Sequence, residues 1–228
     1  MVETTHVIKP IAYIQNDFKE KFGIPRQSGL ADVVSKIVFE PEYRKKEAVR
    51  GIEMYSHLWL IWQFSESVRE DWSPTVRPPR LGGNSRIGVF ATRSPFRPNA
   101  MGLSCVKLDR LDLEDSEAPV LYVTGADLLN GTPIYDIKPY LPYVDSHPEA
   151  SGGFAEQRKE YHLNVVIPEK LKRLLSEKEC RILCELLEQD PRPSYQKDPT
   201  RIYGMCYGKW EIKFRVEEKT LLVCDISE

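Results

Sequence analysis

The chain has 228 residues, 41% of them hydrophobic and 29% charged, with a net charge of −2, which describes an ordinary soluble globular protein and excludes a surface coated for indiscriminate nucleic-acid binding. No apolar stretch approaches the roughly 20 residues that span a bilayer, and the start MVETTHVIKP lacks the layout of a signal peptide, so a cytoplasmic location without membrane contact is expected. Five cysteines (Cys105, Cys180, Cys184, Cys206, Cys224) without CxxC spacing and four scattered histidines (His6, His57, His147, His162) support neither a disulfide framework nor a metal site, and no metal is expected.

In chain order, the first 145 or so residues predict strands joined by Pro/Gly turns. These are Thr5–Ile14, His57–Phe64, Arg86–Ala91, Gly102–Leu113, Val120–Leu128 and Ile134–Lys138, each rich in β-branched or aromatic residues. A short helix is expected over Lys45–Gly51. His57-Leu-Trp-Leu-Ile-Trp-Gln-Phe64 is almost continuously apolar, as for a strand buried on both faces. No long helical periodicity interrupts the strands, so a sheet closed into a barrel is expected, and not an alternating βαβ fold.

Between the second and fourth of these strands lies the run Thr75–Ser104, TVRPPRLGGNSRIGVFATRSPFRPNAMGLS. It holds Arg77, Arg80, Arg86, Arg93 and Arg97 and no acidic residue, so its +5 leaves −7 for the rest of the chain. Four prolines and four glycines shape it. Arginines on such a loop suit bidentate capture of phosphate or carboxylate, against the plainer alternative of a solvated crossover. Further on, Asp127-Leu-Leu-Asn-Gly-Thr-Pro-Ile-Tyr-Asp-Ile-Lys-Pro-Tyr140 predicts a tight turn at Asn130-Gly131 between two strands. Asp136 and Lys138 then share one strand face, as a simple pair or as the lining of a cleft.

Residues 146–158 are polar, small and glycine-containing and predict a linker. The remaining 159–228 predict a small α+β domain. A turn with Leu171, Leu174 and Leu175 precedes the capping box Ser176-x-x-Glu179. Ile182, Leu183, Leu186 and Leu187 follow at helical spacing, and a hairpin is expected from Lys209–Val216 and Thr220–Ile226. No G-x-G-x-x-G, P-loop, G-x-S-x-G or metalloprotease motif is present. Cys105 sits in an apolar strand-like run, which favours a structural role over nucleophilic catalysis.

Three segments together carry a resemblance: KEKFGIPRQSG (19–29), PTVRPPRLGGNSRIGVFATRSPFRPNAMGLS (74–104) and DLLNGTPIYDIKPYLPYVDS (127–146). They closely resemble the TsaA/TrmO-like family of tRNA methyltransferases, and residues 190–204 look like the C-terminal element of its full-length bacterial members. The resemblance implies an enzyme using S-adenosyl-L-methionine to methylate N6 of threonylcarbamoyladenosine at position 37, in the tRNA anticodon stem-loop. It also implies a mainly β chain whose first 145 residues form a non-Rossmann β-barrel methyltransferase domain, acting as a homodimer. The family's cofactor site maps onto Pro25, Arg26, Gln27, Phe64, Ser65, Arg93, Leu103, Asn130, Gly131, Thr132 and Pro133. Many relatives read Phe-His where this chain has Phe64-Ser65, and Asp-Gly-Thr-Pro where it has Asn130-Gly131-Thr132-Pro133, so a role here for an imidazole or a carboxylate falls away at those two places.

Methyl transfer from a sulfonium to nitrogen mostly needs alignment of donor and acceptor. Arg93 would pair with a carboxylate, either the cofactor's or the threonylcarbamoyl group's, and Asn130 with Thr132–Pro133 would hold the adenine or its N6. Asp136 could act as general base or simply pair with Lys138. Arg77, Arg80, Arg97, Arg192, Lys197 and Arg201 are candidates for tRNA phosphates, half of them expected to organise loops instead. Tyr195, Tyr203 and Tyr207 are expected to pack the small domain. Two alternatives remain open on residues alone: a non-catalytic RNA-binding adaptor, and a methyltransferase for a small molecule or protein.

Overall fold

Alternation of apolar and polar residues folds the first part of the chain into antiparallel strands whose apolar faces meet inside. In a computed structural model that describes residues 6–68, 71–78, 85–158, 161–193, 196 and 198–228, these are β1 (Ala12–Gln15), β2 (Val34–Phe39), β3 (His57–Gln63), β4 (Thr75–Val76), β5 (Ile87–Gly88), β6 (Met101–Asp112), β7 (Val120–Thr124) and β8 (Pro133–Pro139). Six of them close into a barrel in the order β1-β2-β7-β6-β3-β8, while β4 and β5 form a separate two-stranded ribbon. Closure leaves no free sheet edge. Ile14, Ile37, Leu58, Leu60, Leu121 and Ile134 fill the interior and are fully buried.

Several expectations change. The first strand begins at Ala12, not Thr5, and Thr5 lies outside the described residues. β2 was not foreseen: Ser35 and Lys36 interrupt its apolar pattern. β3 is buried on one face only, with Leu58, Leu60 and Trp62 inside and His57, Trp59, Ile61 and Gln63 half-covered outside. Its outer face is shielded in part by Tyr140 and by Asp145, which accepts from the Trp59 indole at 3.0 Å. Arg86–Ala91 yields only two ladder residues before a 3₁₀ turn over Val89–Ala91. β7 ends at Thr124 because Gly125 takes φ +86°. Asn130-Gly131 is no hairpin turn, for β7 pairs with β2 and β6 whereas β8 pairs with β1 and β3, and residues 125–132 cross the barrel end. Lys45–Gly51 holds a 3₁₀ turn at Lys46–Val49.

The chain continues through α1 (Pro142–Asp145), β9 (Asn164–Val166), α2 (Glu169–Lys172), α3 (Glu177–Glu188), β10 (Tyr203–Tyr207), β11 (Trp210–Glu217) and β12 (Thr220–Ser227). A second sheet has the order β10-β11-β12-β9, with β9 parallel to β12 and the other pairs antiparallel. The capping box forms as expected: the Ser176 hydroxyl accepts from the Glu179 amide at 3.2 Å, and Glu179 answers to the Ser176 amide at 2.8 Å. Ile182, Leu183, Leu186 and Leu187 are buried on one helix face.

The core of this second unit is completed from the first. Phe18, Ala31 and Val33, with Phe22 and Ile24 beside them, pack among Leu186, Met205, Phe214 and Leu221. Polar contacts fasten the same segment: Gly208 N–H to Asp17 O at 3.1 Å, Cys206 N–H to Glu20 Oε1 at 2.9 Å, and Asp32 N–H to Glu185 Oε2 at 2.8 Å. The β1–β2 connection thus lies in the core of the smaller unit.

Candidate active site

Antiparallel register puts three long connections at one end of the barrel. β3 ends where β6 and β8 begin, as Gln63 opposite Met101 and Trp62 opposite Ile134 show. β1 ends where β2 begins, and β2 begins where β7 ends. The described parts of 16–33, 64–100 and 125–132 thus lie around a single mouth. Every sequence-derived cofactor residue except Leu103 lies on one of these connections or, for Pro133, at the first strand position beside them.

The connections touch one another through specific side chains. Arg93 Nη1 donates to Gln27 Oε1, and Gln27 Nε2 donates to the Arg26 carbonyl. Arg26 in turn donates to the carbonyls of Asp190 (3.0 Å) and Arg192 (3.2 Å), so this loop is held from the second unit, and Pro25 beside it is buried. Ser28 Oγ accepts from the Cys105 amide at 3.2 Å. Phe64 packs against Trp62 with ring centroids 4.2 Å apart, and its amide bonds Ala100 O at 2.8 Å. Ser65 is exposed beside it, and Lys21 reaches the Glu66 carbonyl at 2.7 Å.

One participant was passed over in the sequence. Asp127 accepts from Ser104 Oγ at 2.5 Å, and Ser104 Oγ accepts from the Trp62 indole at 2.9 Å. Burial holds its carboxyl above the usual carboxylate range, while the Ser104 hydroxyl, the amides of Asp127 and Ser28, and the Arg93 charge pull the other way. The chain Trp62–Ser104–Asp127 links the barrel interior to the connection carrying Ser28 and, through charge, to Arg93 on another connection. Its signal was faint: a serine in an inward strand position and a carboxylate just past a strand end. Gly102 has a clear reason as well, because a Cβ there would lie 2.3 Å from the Trp62 ring.

The Asn130–Pro133 segment is rigid. The amides of Asn130, Gly131 and Thr132 bond Phe18 O (2.9 Å), Ile14 O (2.8 Å) and Leu129 O (3.1 Å), and the Asn130 side-chain oxygen accepts from the Asn16 amide at 3.0 Å. Those amides are not free for a ligand. The Asn130 and Gly131 carbonyls, by contrast, receive no bond among the described residues, and Gly131 (φ +79°) has open space where a Cβ would stand. Thr132 and Pro133 are buried.

Other candidates lie elsewhere. Leu103 is 57% exposed on the outer wall, opposite Ile61 in the register, and Asp136 is the next partner of Ile61 on that wall. Asp136 pairs with Lys138 at 3.0 Å and accepts from the Ile137 amide at 2.9 Å, the arrangement expected of a structural pair. Arg97 donates to the carbonyls of Ser94 (2.9 Å), Thr92 and Val89 (3.4 Å). Arg192 forms a bidentate pair with Asp190 at 2.8 and 3.0 Å. Both organise loops. Arg77 is exposed on the β4–β5 ribbon, and Arg201 is exposed near the Tyr203 ring. Arg80, Lys197 and Tyr195 lie outside the described residues, while Tyr203 and Tyr207 are buried in the second core.

Comparison with known proteins decides the kinship. The tRNA-methyltransferase O N-terminal domain matches residues 13–146 and the TrmO C-terminal domain residues 160–228. The chain belongs to the TrmO family. A tRNA (adenine(37)-N6)-methyltransferase of Escherichia coli K12 is 40% identical over 213 residues, covering 90% of this chain and 89% of that protein. A Pseudomonas aeruginosa protein provisionally named an S-adenosylmethionine-dependent methyltransferase, RcsF, is 43% identical over 233 residues and 98% of each chain. The crystal structure of TrmO from Pseudomonas aeruginosa superposes with a TM-score of 0.77 at 31% identity, covering 99% of this chain and all of that one. A TrmO barrel explains the missing glycine-rich βα turn, since its mouth is built from irregular connections, not from a strand–helix junction.

Proposed function

We propose that this protein transfers a methyl group from S-adenosyl-L-methionine to N6 of threonylcarbamoyladenosine at position 37 of tRNA, acting in the cytoplasm as a homodimer. The observation that supports the reading is the bond from Arg93 to Gln27, with the buried Asp127 within the influence of the Arg93 charge, at the barrel end that carries Pro25–Gln27, Phe64–Ser65 and Asn130–Pro133. Residues 1–145 would carry the chemistry, and 159–228, reached through 146–158, would hold the Pro25–Gln27 loop in place.

The residues fit the cofactor's charged and polar parts. Arg93 has five N–H donors, one of them engaged by Gln27, and is exposed, so its others can receive a carboxylate. The open carbonyls of Asn130 and Gly131 suit the amino group of an adenine. When bound, S-adenosylmethionine supplies an already activated methyl. The chain's own task is alignment: Arg93 fixes a carboxylate, and the pinned Asn130–Pro133 segment holds an adenine without rearrangement. Asp127 keeps the Gln27–Ser28 loop and Arg93 in register. Asp136, engaged by Lys138 and the Ile137 amide, fits the structural pair better than the base.

Nucleoside mass spectrometry on threonylcarbamoylated, unmethylated tRNA incubated with protein and cofactor tests this directly. A gain of one methyl on the hypermodified adenosine is expected, and none from folded protein sinks the reading. Arg93→Ala should weaken cofactor binding about tenfold or more, the usual loss of a charged hydrogen bond; unchanged affinity by calorimetry would move Arg93 to the threonylcarbamoyl carboxylate.

A further inference from the structure

The β4–β5 ribbon exposes two large aromatic side chains that folding does not require. Trp72 is 52% and Phe90 76% exposed, and their rings touch, centroids 6.1 Å apart and inclined by 32°. A single exposed aromatic residue is ordinary, but an adjoining pair on a fixed support is not. The support is fixed. The Val89 amide bonds Pro74 O at 2.9 Å, the Val89 side chain is 1% exposed, and its carbonyl receives the Thr92 amide (3.1 Å), the Thr92 hydroxyl (2.8 Å) and Arg97 (3.4 Å). Val89 is rooted inward and Phe90 consequently points out.

Charge identifies what suits this surface. Arg77 and Arg86 are exposed on the same ribbon, Arg86 reaching only Thr75 Oγ1 at 3.3 Å among described partners. Glu70 and Asp71 precede Trp72 in the sequence, and residues 75–104 contain no acid. Aromatic faces beside arginines that have no acidic partner among the described residues match unpaired bases and their phosphates. A second copy of the chain would need an apolar or acidic counterpart instead. Phe90 is three residues from Arg93, so their Cα atoms are within about 11 Å, the span of about three stacked bases.

We propose that Trp72 and Phe90 form a stacking platform for unpaired anticodon-loop bases next to the adenosine to be methylated, with Arg77 and Arg86 on the adjoining phosphates. Because the two rings already touch, a base stacks on their outer surface and does not enter between them. This rests on the tRNA methyltransferase reading and extends it to the residues that seat the loop.

The test is fluorescence anisotropy of full-length wild type, Trp72→Ala, Phe90→Ala, Trp72→Phe and Arg86→Gln with a labelled anticodon stem-loop, alongside calorimetric binding of S-adenosylmethionine. Each alanine variant should bind the RNA about 5- to 100-fold more weakly with cofactor affinity unchanged, and Trp72→Phe should recover most of the loss. Arg86→Gln should lower the salt slope by about one. Wild-type RNA affinity in both alanine variants overturns the platform while leaving the methyltransferase reading intact. Altered sedimentation with unchanged RNA affinity overturns it in favour of a surface between copies. A wild-type protein that binds cofactor and no tRNA overturns both proposals. Retained cofactor binding shows that each variant has folded.

Discussion

The two hydrophobic cores of this chain are assembled in different ways. The barrel core comes from the barrel's own strands and the turns beside them, with Leu58, Leu60, Leu121 and Ile134 facing one another across a closed sheet. The second core places Phe18, Ala31 and Val33, which precede β2, among helix and strand residues from the far end of the chain. One core is self-contained and the other is shared. The shared one matters for chemistry, because the segment that enters it also delivers Gln27 to Arg93 and Ser28 to Asp127.

The largest effect should follow from emptying the shared core. Phe214 is fully buried, stacked on Tyr203 at 5.6 Å and near Phe22 at 6.4 Å. Phe214→Ala should cost about 3–5 kcal/mol. Hydrogen exchange should speed up in β11 and in residues 17–33 together, with β3 amides protected longer. If residues 17–33 instead exchange in step with β3, the loop belongs to the barrel energetically and the comparison fails.

A narrower cut goes through Gly23, which takes φ +93° and would place a Cβ 2.3 Å from the Met205 sulfur. Met205 is buried and cannot swing freely into solvent. Gly23→Ala should destabilise by about 1–3 kcal/mol and weaken cofactor binding by shifting the loop two residues before Pro25. Lower stability with unchanged cofactor affinity would separate the loop's fastening from its function.

Much of this was legible in the sequence, and the failures have physical causes. Strands with unbroken alternation were readable, as was the capping box, since both are local patterns. β2 was not, because Ser35 occupies an inward position and Lys36 an outer one that packs beside Tyr122. The convergence of Gln27, Arg93 and the Asn130 segment could be anticipated only through family likeness, because register and closure bring them together across the chain. Asp127 escaped altogether, as nothing local distinguishes a carboxylate bonded to a distant serine. Its raised pKa gives a sign that can be checked. The native state holds this proton more tightly than the unfolded chain, so Asp127's stabilising contribution is full below its ordinary value of about 3.9 and declines as pH rises through the raised value. Urea midpoints at pH 4 and 7 should show wild type losing stability relative to Asp127→Asn on going to the higher pH; a pH-independent difference would refute the burial argument.

Glu179 provides the opposite sign and the smallest effect, within the shared core's helix. Its carboxylate accepts from the Ser176 hydroxyl (2.6 Å), the Ser176 amide (2.8 Å) and the Trp210 indole (2.9 Å), which hold its pKa down to about 2. The Ser176 hydroxyl is the strongest of these influences. Here the ionised form is the one that the fold favours, so the stabilisation is full above the ordinary value of about 4.3 and is lost as pH falls toward 2. Glu179→Ala should cost about 1 kcal/mol at neutral pH, with the difference from wild type shrinking between pH 4 and 2 as the wild-type carboxyl takes up its proton. Because Glu179 ties the start of α3 to Trp210 in β11, a loss that stayed constant down to pH 2 would mean that its methylenes, and not its charge, join helix to sheet.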